Sequence, residues 1–185
     1  MQDHYIVRPL AKNEWENVRT LRLEALKEYP RVYFRTYEDE AKCTDQYWQD
    51  ILAEKESCMF GLFDRDKLIG IAGVLRLENA AGVPRHEDVA GVIVRLYVKR
   101  EYQRKGFSAR LMQACIDWSI GCKAWTRLTV AHRASNEAAR RLIAGLGLSC
   151  FETIKNKKYP NGDVEDEYWY QIDLDKMRHQ KGLQQ

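Results

Sequence analysis

The sequence predicts one mixed α/β domain built around a single sheet, with about seven strands and about four helices. Its 185 residues are the length of one domain. The composition is that of an ordinary globular protein, with 45% hydrophobic and 31% charged residues and only 11 Gly and 4 Pro. Along the chain, strand-like apolar runs alternate with amphipathic helical stretches. Disordered and fibrous classes are thereby excluded.

The first half of the chain predicts four strands and two helices. Short apolar runs predict the strands, and Pro9 ends the first of them. The first helix has apolar residues at helical spacing after Asn13, its expected cap, and Pro30 forbids its continuation. Thr44 is the expected cap of the second helix. In chain order these elements are a strand over 5–8, a helix between 13 and 30, a helix over 45–53, strands over 58–63 and 68–77, a loop over 78–87 and a strand over 89–98.

The second half predicts two further helices and three strands. From Phe107, apolar residues recur along one helical stripe that ends near Gly121. The last helix begins at Asn136, and Gly145 or Gly147 allows its left-handed exit. A Pro-Asn-Gly-Asp turn separates the last two strands. These elements are a helix over 107–121, a strand over 127–131, a helix over 136–144 and strands over 150–154 and 164–174. Residues 175–185 are expected to be a polar tail after a domain of residues 1–174.

The sequence contains no pattern that predicts a membrane-spanning segment, a secretory signal or a metal site. The longest apolar run, residues 68–75, is far shorter than the roughly 20 residues of a membrane-spanning helix. The chain opens Met-Gln-Asp-His, which is not a secretory signal, so we expect a soluble cytoplasmic protein. Five cysteines without a C-x-x-C pair predict reduced thiols and no zinc site, and the four histidines lack metal-ligand spacing. We expect no metal.

The positive charge of the chain is local. The net charge is +3, but residues 95–110 hold six basic residues against Glu101 alone. Within this stretch Gly106 stands at the entry to a helix, where first-turn N–H groups and the helix dipole favour an anion. Arg104 and Lys105 add full charges, which suits a pyrophosphate. No phosphate-binding motif of the nucleoside triphosphatases or dinucleotide enzymes is present.

Gln103-x-x-Gly106-x-Ser108 leads into the helix over 107–121. It resembles the Q/R-x-x-G-x-G/A signature of the GNAT superfamily of acyl-CoA-dependent N-acyltransferases. The family's N-x-x-A-x-x-L-Y-x-x-x-G-F segment is matched, in the helix after the following strand, by Asn136, Ala139, Leu142, Gly147 and Leu148. The similarity spans most of residues 5–174.

The resemblance implies a central, mostly antiparallel mixed sheet whose middle strands splay apart, with acyl-CoA in the gap. By analogy, backbone groups of Leu96, Tyr97 and Val98 pair with the pantetheine arm, and Asn136 bonds the cofactor. The pyrophosphate is held by the amides of Gln103, Arg104, Lys105, Gly106, Phe107 and Ser108.

The catalytic roles of the family do not transfer to this chain. Ile143 stands where the family has a tyrosine that reprotonates the leaving thiolate, and Val92 stands where some relatives have a glutamate base. Glu87 and Asp88 are the nearest carboxylates in sequence and are the candidates for the base. A thioester is already activated, so positioning and a water-relayed proton can suffice.

The expected function is N-acetyl transfer from acetyl-CoA to a primary amine, by direct attack in a ternary complex. Residues 33–40 and the final hairpin are expected to select the acceptor, which is either a small molecule or a protein amine. The alternative is a non-catalytic module that binds or senses acyl-CoA. Nucleic-acid binding by the basic stretch is less favoured, because no recognition motif accompanies it. The sequence leaves the oligomeric state open, with a homodimer as one alternative.

Overall fold

A computed structural model describes residues 4–76, 90–180 and 182 of the chain. In this part there are seven strands and six α-helices. The predicted loop over 78–87 lies outside the described residues. The elements are β1 (Tyr5–Pro9), α1 (Trp15–Glu28), α2 (Tyr37–Ala41), α3 (Asp45–Ala53), β2 (Cys58–Asp64), β3 (Lys67–Arg76), β4 (Ala90–Val98), α4 (Phe107–Gly121), β5 (Arg127–Arg133), α5 (Glu137–Gly145), β6 (Ser149–Lys158), β7 (Val164–Asp173) and α6 (Leu174–Gln180).

The strands form one sheet in the order β1-β2-β3-β4-β5-β7-β6. Neighbouring strands are antiparallel except β4 and β5, which are parallel. The single mixed sheet of seven strands predicted from the sequence is confirmed. Among the described strands, the one parallel pair stands at the centre, where β4 is joined to β5 by the crossover that contains α4.

Helices cover both faces of the sheet. The apolar stripe of α4, which includes Leu111 and Cys115, packs into the larger core on one face. On the other face, α1 and α3 bury side chains such as Val18 and Trp48 against the sheet. Cys115 is fully buried and unpaired, as expected for a small core hydrophobe. None of the described helices has the length and apolar character needed to cross a bilayer.

Two helices of the described chain escaped the sequence prediction of about four. α2 has only five residues, too few to display a helical period, and its signal is the Thr36 cap, whose hydroxyl accepts from the Asp39 N–H at 3.2 Å. α6 occupies the start of the expected polar tail, and the domain boundary at residue 174 stays a prediction. Arg178 fixes α6 by donating to the carbonyls of Ile120, Cys122 and Trp125 at 2.8–2.9 Å.

Candidate functional site

The centre of the sheet opens between β4 and β5. In the described chain the two strands pair only over residues 90–92 and 127–129. Beyond this point, a cavity of about 710 Å³ is lined by residues 92–96 of β4 and 130–133 of β5. Strand edges that are not paired present N–H and C=O groups to whatever lies between them. The gap can therefore hold a ligand with amide groups of its own.

A bulge in β4 lies at the mouth of this gap. Gly73 of β3 pairs with Val94, and Ile71 pairs with Tyr97, so β4 has one extra residue between the two pairs. Arg95 lies within the bulge and has a φ of 57°. This left-handed conformation is uncommon for residues other than glycine.

The bulge also changes which side chains face the ligand. In strict alternation Ile93 and Leu96 would lie on opposite faces, but both pack into the core beneath α4. Tyr97 instead belongs to the core beneath α1 and α3. Arg95 shares that side, where its Nη2 donates to the Tyr47 hydroxyl of α3 at 3.3 Å.

Two of the backbone carbonyls predicted to line the cofactor already have partners. The Leu96 carbonyl accepts from the Tyr33 hydroxyl at 2.9 Å, and the Val98 carbonyl accepts from Gln103 Nε2 at 2.8 Å. Burial raises the pKa of Tyr33, so its hydroxyl stays protonated and donates. A carbonyl can accept a second hydrogen bond. Tyr33 and Gln103 therefore orient these groups, and the Gln103 side chain holds the following loop against β4.

The loop before α4 has the form of an anion site. Gly106 is the N-cap of α4 with a φ of 77°, and no side chain caps the helix there. No described heavy atom lies within 4 Å of the position that a Cβ would take. The first-turn amides, among them those of Phe107 and Ser108, have no acceptors within the helix. Arg104 and Lys105 are exposed beside them, and a phosphate group fits this arrangement.

Asn136 stands at the opposite side of the gap, at the start of α5. Its Oδ1 accepts from the Ala139 N–H at 3.0 Å and so caps the helix. The residue also lines the cavity. Capping uses the side-chain oxygen, whereas the side-chain NH₂ makes no hydrogen bond to any described residue. That group remains able to donate to a ligand.

A model of the acetyltransferase (GNAT) family matches residues 19–148. The chain belongs to this family. The resemblance found in the two motifs is confirmed, and with it the expectation of an acetyltransferase. A comparison with curated protein sequences found no match.

Solved structures of GNAT proteins share the fold across almost the whole chain. An acetyltransferase of the family from Streptococcus pneumoniae has a TM-score of 0.75 at 15% identity, covering 91% of this chain and 99% of its own. A ribosomal-protein-S5-alanine acetyltransferase from Vibrio fischeri has a TM-score of 0.72 at 21% identity, covering 95% and 96%. YncA, a putative acetyltransferase from Salmonella typhimurium, was solved with acetyl-CoA; its TM-score is 0.75 at 14% identity, covering 92% and 94%.

This GNAT protein has apolar side chains at the two expected catalytic positions. Ile143 lines the cavity but is 1% exposed and belongs to the core. Val92 is 3% exposed and packs near Trp169. Glu87 and Asp88 lie outside the described residues, and their role stays a prediction.

Part of the predicted acceptor segment reaches the cavity of this GNAT protein. Four residues of 33–40 line it: Tyr33, Phe34, Arg35 and Glu40. Glu40 is 1% exposed, and its two oxygens accept from Nε and Nη2 of Arg22, each at 2.9 Å. This carboxylate is therefore committed to a buried ion pair and is not available for a cationic substrate.

The final hairpin contributes a second committed carboxylate. Glu167 of β7 lines the cavity and is 7% exposed. It accepts from Trp169 Nε1 at 2.6 Å, from Lys157 Nζ at 2.5 Å and from the Tyr159 hydroxyl at 3.3 Å. The acids of the predicted acceptor regions thus serve mainly to bind neighbouring donors.

Sequence reasoning overlooked Arg95 and Arg133 as cavity residues. Arg133 is 2% exposed and joins the two acceptor regions, since it donates to the Tyr33 carbonyl at 2.8 Å and to Asp163 at 3.1 Å. A signal did exist for Arg95, which interrupts an otherwise apolar strand, because a charge in such a strand needs either a partner or a ligand. Arg133 ends β5, which also contains Arg127, Thr129 and His132, so the sequence carried no such signal for it.

Proposed function

We propose that this GNAT protein transfers the acetyl group of acetyl-CoA to a primary amine by direct attack in a ternary complex. The amine nitrogen forms a bond to the thioester carbonyl carbon, the carbon–sulfur bond breaks, CoA leaves as the thiolate, and the amine proton passes to water. The observation that carries the proposal is a continuous cavity that joins the gap between β4 and β5 to residues 33–40 and the final hairpin. Both substrates can therefore be present together.

Direct attack is favoured because the described lining of the cavity contains no cysteine to carry the acetyl group. Cys115 is buried in the core, and burial raises its pKa. Burial also raises the pKa of Cys58 to about 11. Neither thiol forms the thiolate that a covalent intermediate would need near neutral pH.

The residues present fit acetyl-CoA, which supplies an activated thioester when bound. The amides at residues 103–108 would hold the pyrophosphate, with Arg104 and Lys105 as counter-charges. The backbone of Leu96, Tyr97 and Val98 would pair with the pantetheine amides, and Asn136 would donate from α5. The acetyl-CoA in the YncA structure, a protein with the same fold, supports this assignment. Proton transfer would use water, with Glu87 or Asp88 as candidates for the base.

Two classes of acceptor fit the proposal. The Vibrio fischeri neighbour is named for acetylating an alanine of a ribosomal protein, which supports a protein N-terminus. A cavity of about 710 Å³ is also large enough for a small amine. An acceptor screen with acetyl-CoA, read as thiol release, tests the proposal. Release with no member of a broad amine and peptide panel would contradict it.

Acetyl-CoA should raise the melting temperature of the protein. A ligand that binds only the folded state adds about 2.7 kcal/mol at one hundred times its Kd, which is roughly 5–10 °C for a chain of this size. Differential scanning fluorimetry with millimolar acetyl-CoA measures the shift. Pantetheine, which lacks the pyrophosphate, serves as control and should give a much smaller one. A flat response to acetyl-CoA would contradict the assignment of the loop.

Replacing Ile143 with tyrosine should raise turnover by no more than about tenfold, small on the scale of general acid catalysis, which is about 10²–10⁴-fold. Ile143 is fully buried, so the larger ring must displace core neighbours. The measurement is thiol release by wild type and Ile143→Tyr with the same amines. An inactive wild type rescued by the tyrosine would instead support the alternative of an acyl-CoA-binding module.

A further inference from the structure

We propose that the acceptor carries a carboxylate beside its amine, and that Arg95 binds this carboxylate. The proposal rests on the proposed function, because it names the substrate class of the same cavity. Arg95 is half-buried in the bulge of β4 and lines the cavity on the side of α3. It precedes Leu96, whose backbone is assigned to the acetyl donor, so a group held by Arg95 lies beside the reacting thioester.

The guanidinium of Arg95 is poorly satisfied by the protein. It has five N–H donors, and the one hydrogen bond that it makes to a described residue is the 3.3 Å contact with the Tyr47 hydroxyl. Its Nε is buried without an acceptor among the described residues. No described carboxylate forms an ion pair with it. A partly buried cation in this state gains strongly from an anionic ligand.

The other buried cations of the cavity have carboxylate partners. Arg22 pairs with Glu40, Arg133 with Asp163, and Lys157 with Glu167. Arg22 shows the preferred geometry, since its Nε and Nη2 each donate to one carboxylate oxygen. Arg95 has the same donors without such a partner in the described chain. Arg35 also lines the cavity, but it is exposed at the rim, where water solvates it.

The backbone at Arg95 supports a functional role for the side chain. A φ of 57° is strained for a residue with a long side chain, and glycine or asparagine would meet it at lower cost. The bulge directs this side chain to the face of Tyr97 and away from the core beneath α4. The strained position thus carries a cation into the cavity on the side of α3, which a structural bulge alone does not require.

A carboxylate suits this site better than a phosphate. The planar guanidinium matches a planar carboxylate, and one arginine balances its single charge. Glu40 and Glu167 are already balanced by Arg22 and Lys157, so Arg95 has only its own charge to offer, and Asp50 at the exposed rim of the cavity further disfavours a dianion. Two sources present an amine and a carboxylate together: a free α-amino acid, and a peptide N-terminus followed by an acidic side chain.

The experiment compares acceptors that differ only in the carboxylate. One arm uses L-amino acids and their carboxamides, and a second uses N-terminal peptide amides with Glu or Gln at the second position. With wild type, the carboxylate member of the productive arm should have a kcat/KM roughly tenfold to a hundredfold above that of its neutral partner. In Arg95→Gln this ratio should fall to about one, and Arg95→Lys should be intermediate because it keeps the charge without the fork.

Controls separate this proposal from the proposed function. Arg19→Gln removes an arginine that pairs with Asp45 outside the cavity and should leave the ratio unchanged. CoA should still raise the melting temperature of Arg95→Gln. The N-acetylated carboxylate product, added with CoA, should raise it further in wild type but not in this variant. If no acceptor reacts, the proposed function fails, and this product binding still tests Arg95.

Two results would overturn the role of Arg95. One is a preference for carboxamides, or for 1,4-diaminobutane, which would show that the cavity takes a neutral or cationic amine through acids such as Asp50. The other is a carboxylate preference that Arg95→Gln leaves intact.

Discussion

Gly106→Val should weaken CoA binding by about a hundredfold or more while the protein stays folded. A valine Cβ at this position meets no described protein atom within 4 Å, so the fold has room for it. The same space is where a pyrophosphate must approach the first-turn amides of α4. Hydrogen bonds to a charged group contribute about 1.5–3 kcal/mol each, so the loss of two of them gives this factor. Isothermal titration calorimetry with CoA measures it.

The chain provides a matched control for this substitution. Gly147, after α5, has a φ of 78°, and no described atom lies within 4 Å of its Cβ position. Gly147→Val therefore introduces the same backbone strain and the same side chain away from the anion loop. It should lower the melting temperature about as much as Gly106→Val and leave CoA affinity unchanged. Equal CoA affinity in the two variants would mean that the loop does not bind the pyrophosphate.

Glu40→Ala should lower the free energy of unfolding by about 3–5 kcal/mol, because it leaves Arg22 as an uncompensated charge in the interior. The two side chains of this pair are 1% and 4% exposed. Urea denaturation measures the change. Asp45→Ala is the control, since its ion pair with Arg19 is exposed and should contribute at most about 1 kcal/mol.

A second variant distinguishes the lost charge balance from lost packing. Replacing both members of the pair, as Arg22→Met with Glu40→Leu, removes the charges and keeps apolar volume in the interior. This double variant should be clearly more stable than Glu40→Ala. If the two variants are equally unstable, the segment that contains Glu40 is held by other contacts, and the ion pair is not the reason for its stability.

The pattern of apolar residues along the chain predicted the sheet, because every strand buries at least part of one face. It could not predict the bulge, because one extra residue in β4 leaves the strand apolar and of ordinary length. The bulge changes the face on which the following side chains lie. If strict alternation is continued from Ile93, Leu96 is assigned to the wrong face of the sheet. The role of Arg95 depends on that register, so it emerges only from the paired strands.

The candidate site was predictable at the helix starts and less so where side chains meet across the fold. Gly106 and Asn136 were found because a helix start has a local signature. Glu167 and Arg133 could not be assigned, since their partners are set by the pairing of β6 and β7 and by a segment about a hundred residues away. No local pattern encodes contacts of that range.

Arg178 compensates the helix dipole of α4 at one end only. At its carboxyl end, the guanidinium of α6 neutralises the partial negative charge of the last carbonyls through bonds to Ile120 and Cys122. The amino end has no acidic residue in its first turn, so its partial positive charge has no such counterweight. In the protein without ligand, the partial charge of the α4 dipole is therefore neutralised at the carboxyl end and not at the amino end. A bound anion would compensate the positive charge at the amino end as well. When CoA binds, the amide hydrogens in the first turn of α4 should therefore show the largest decrease in exchange rate.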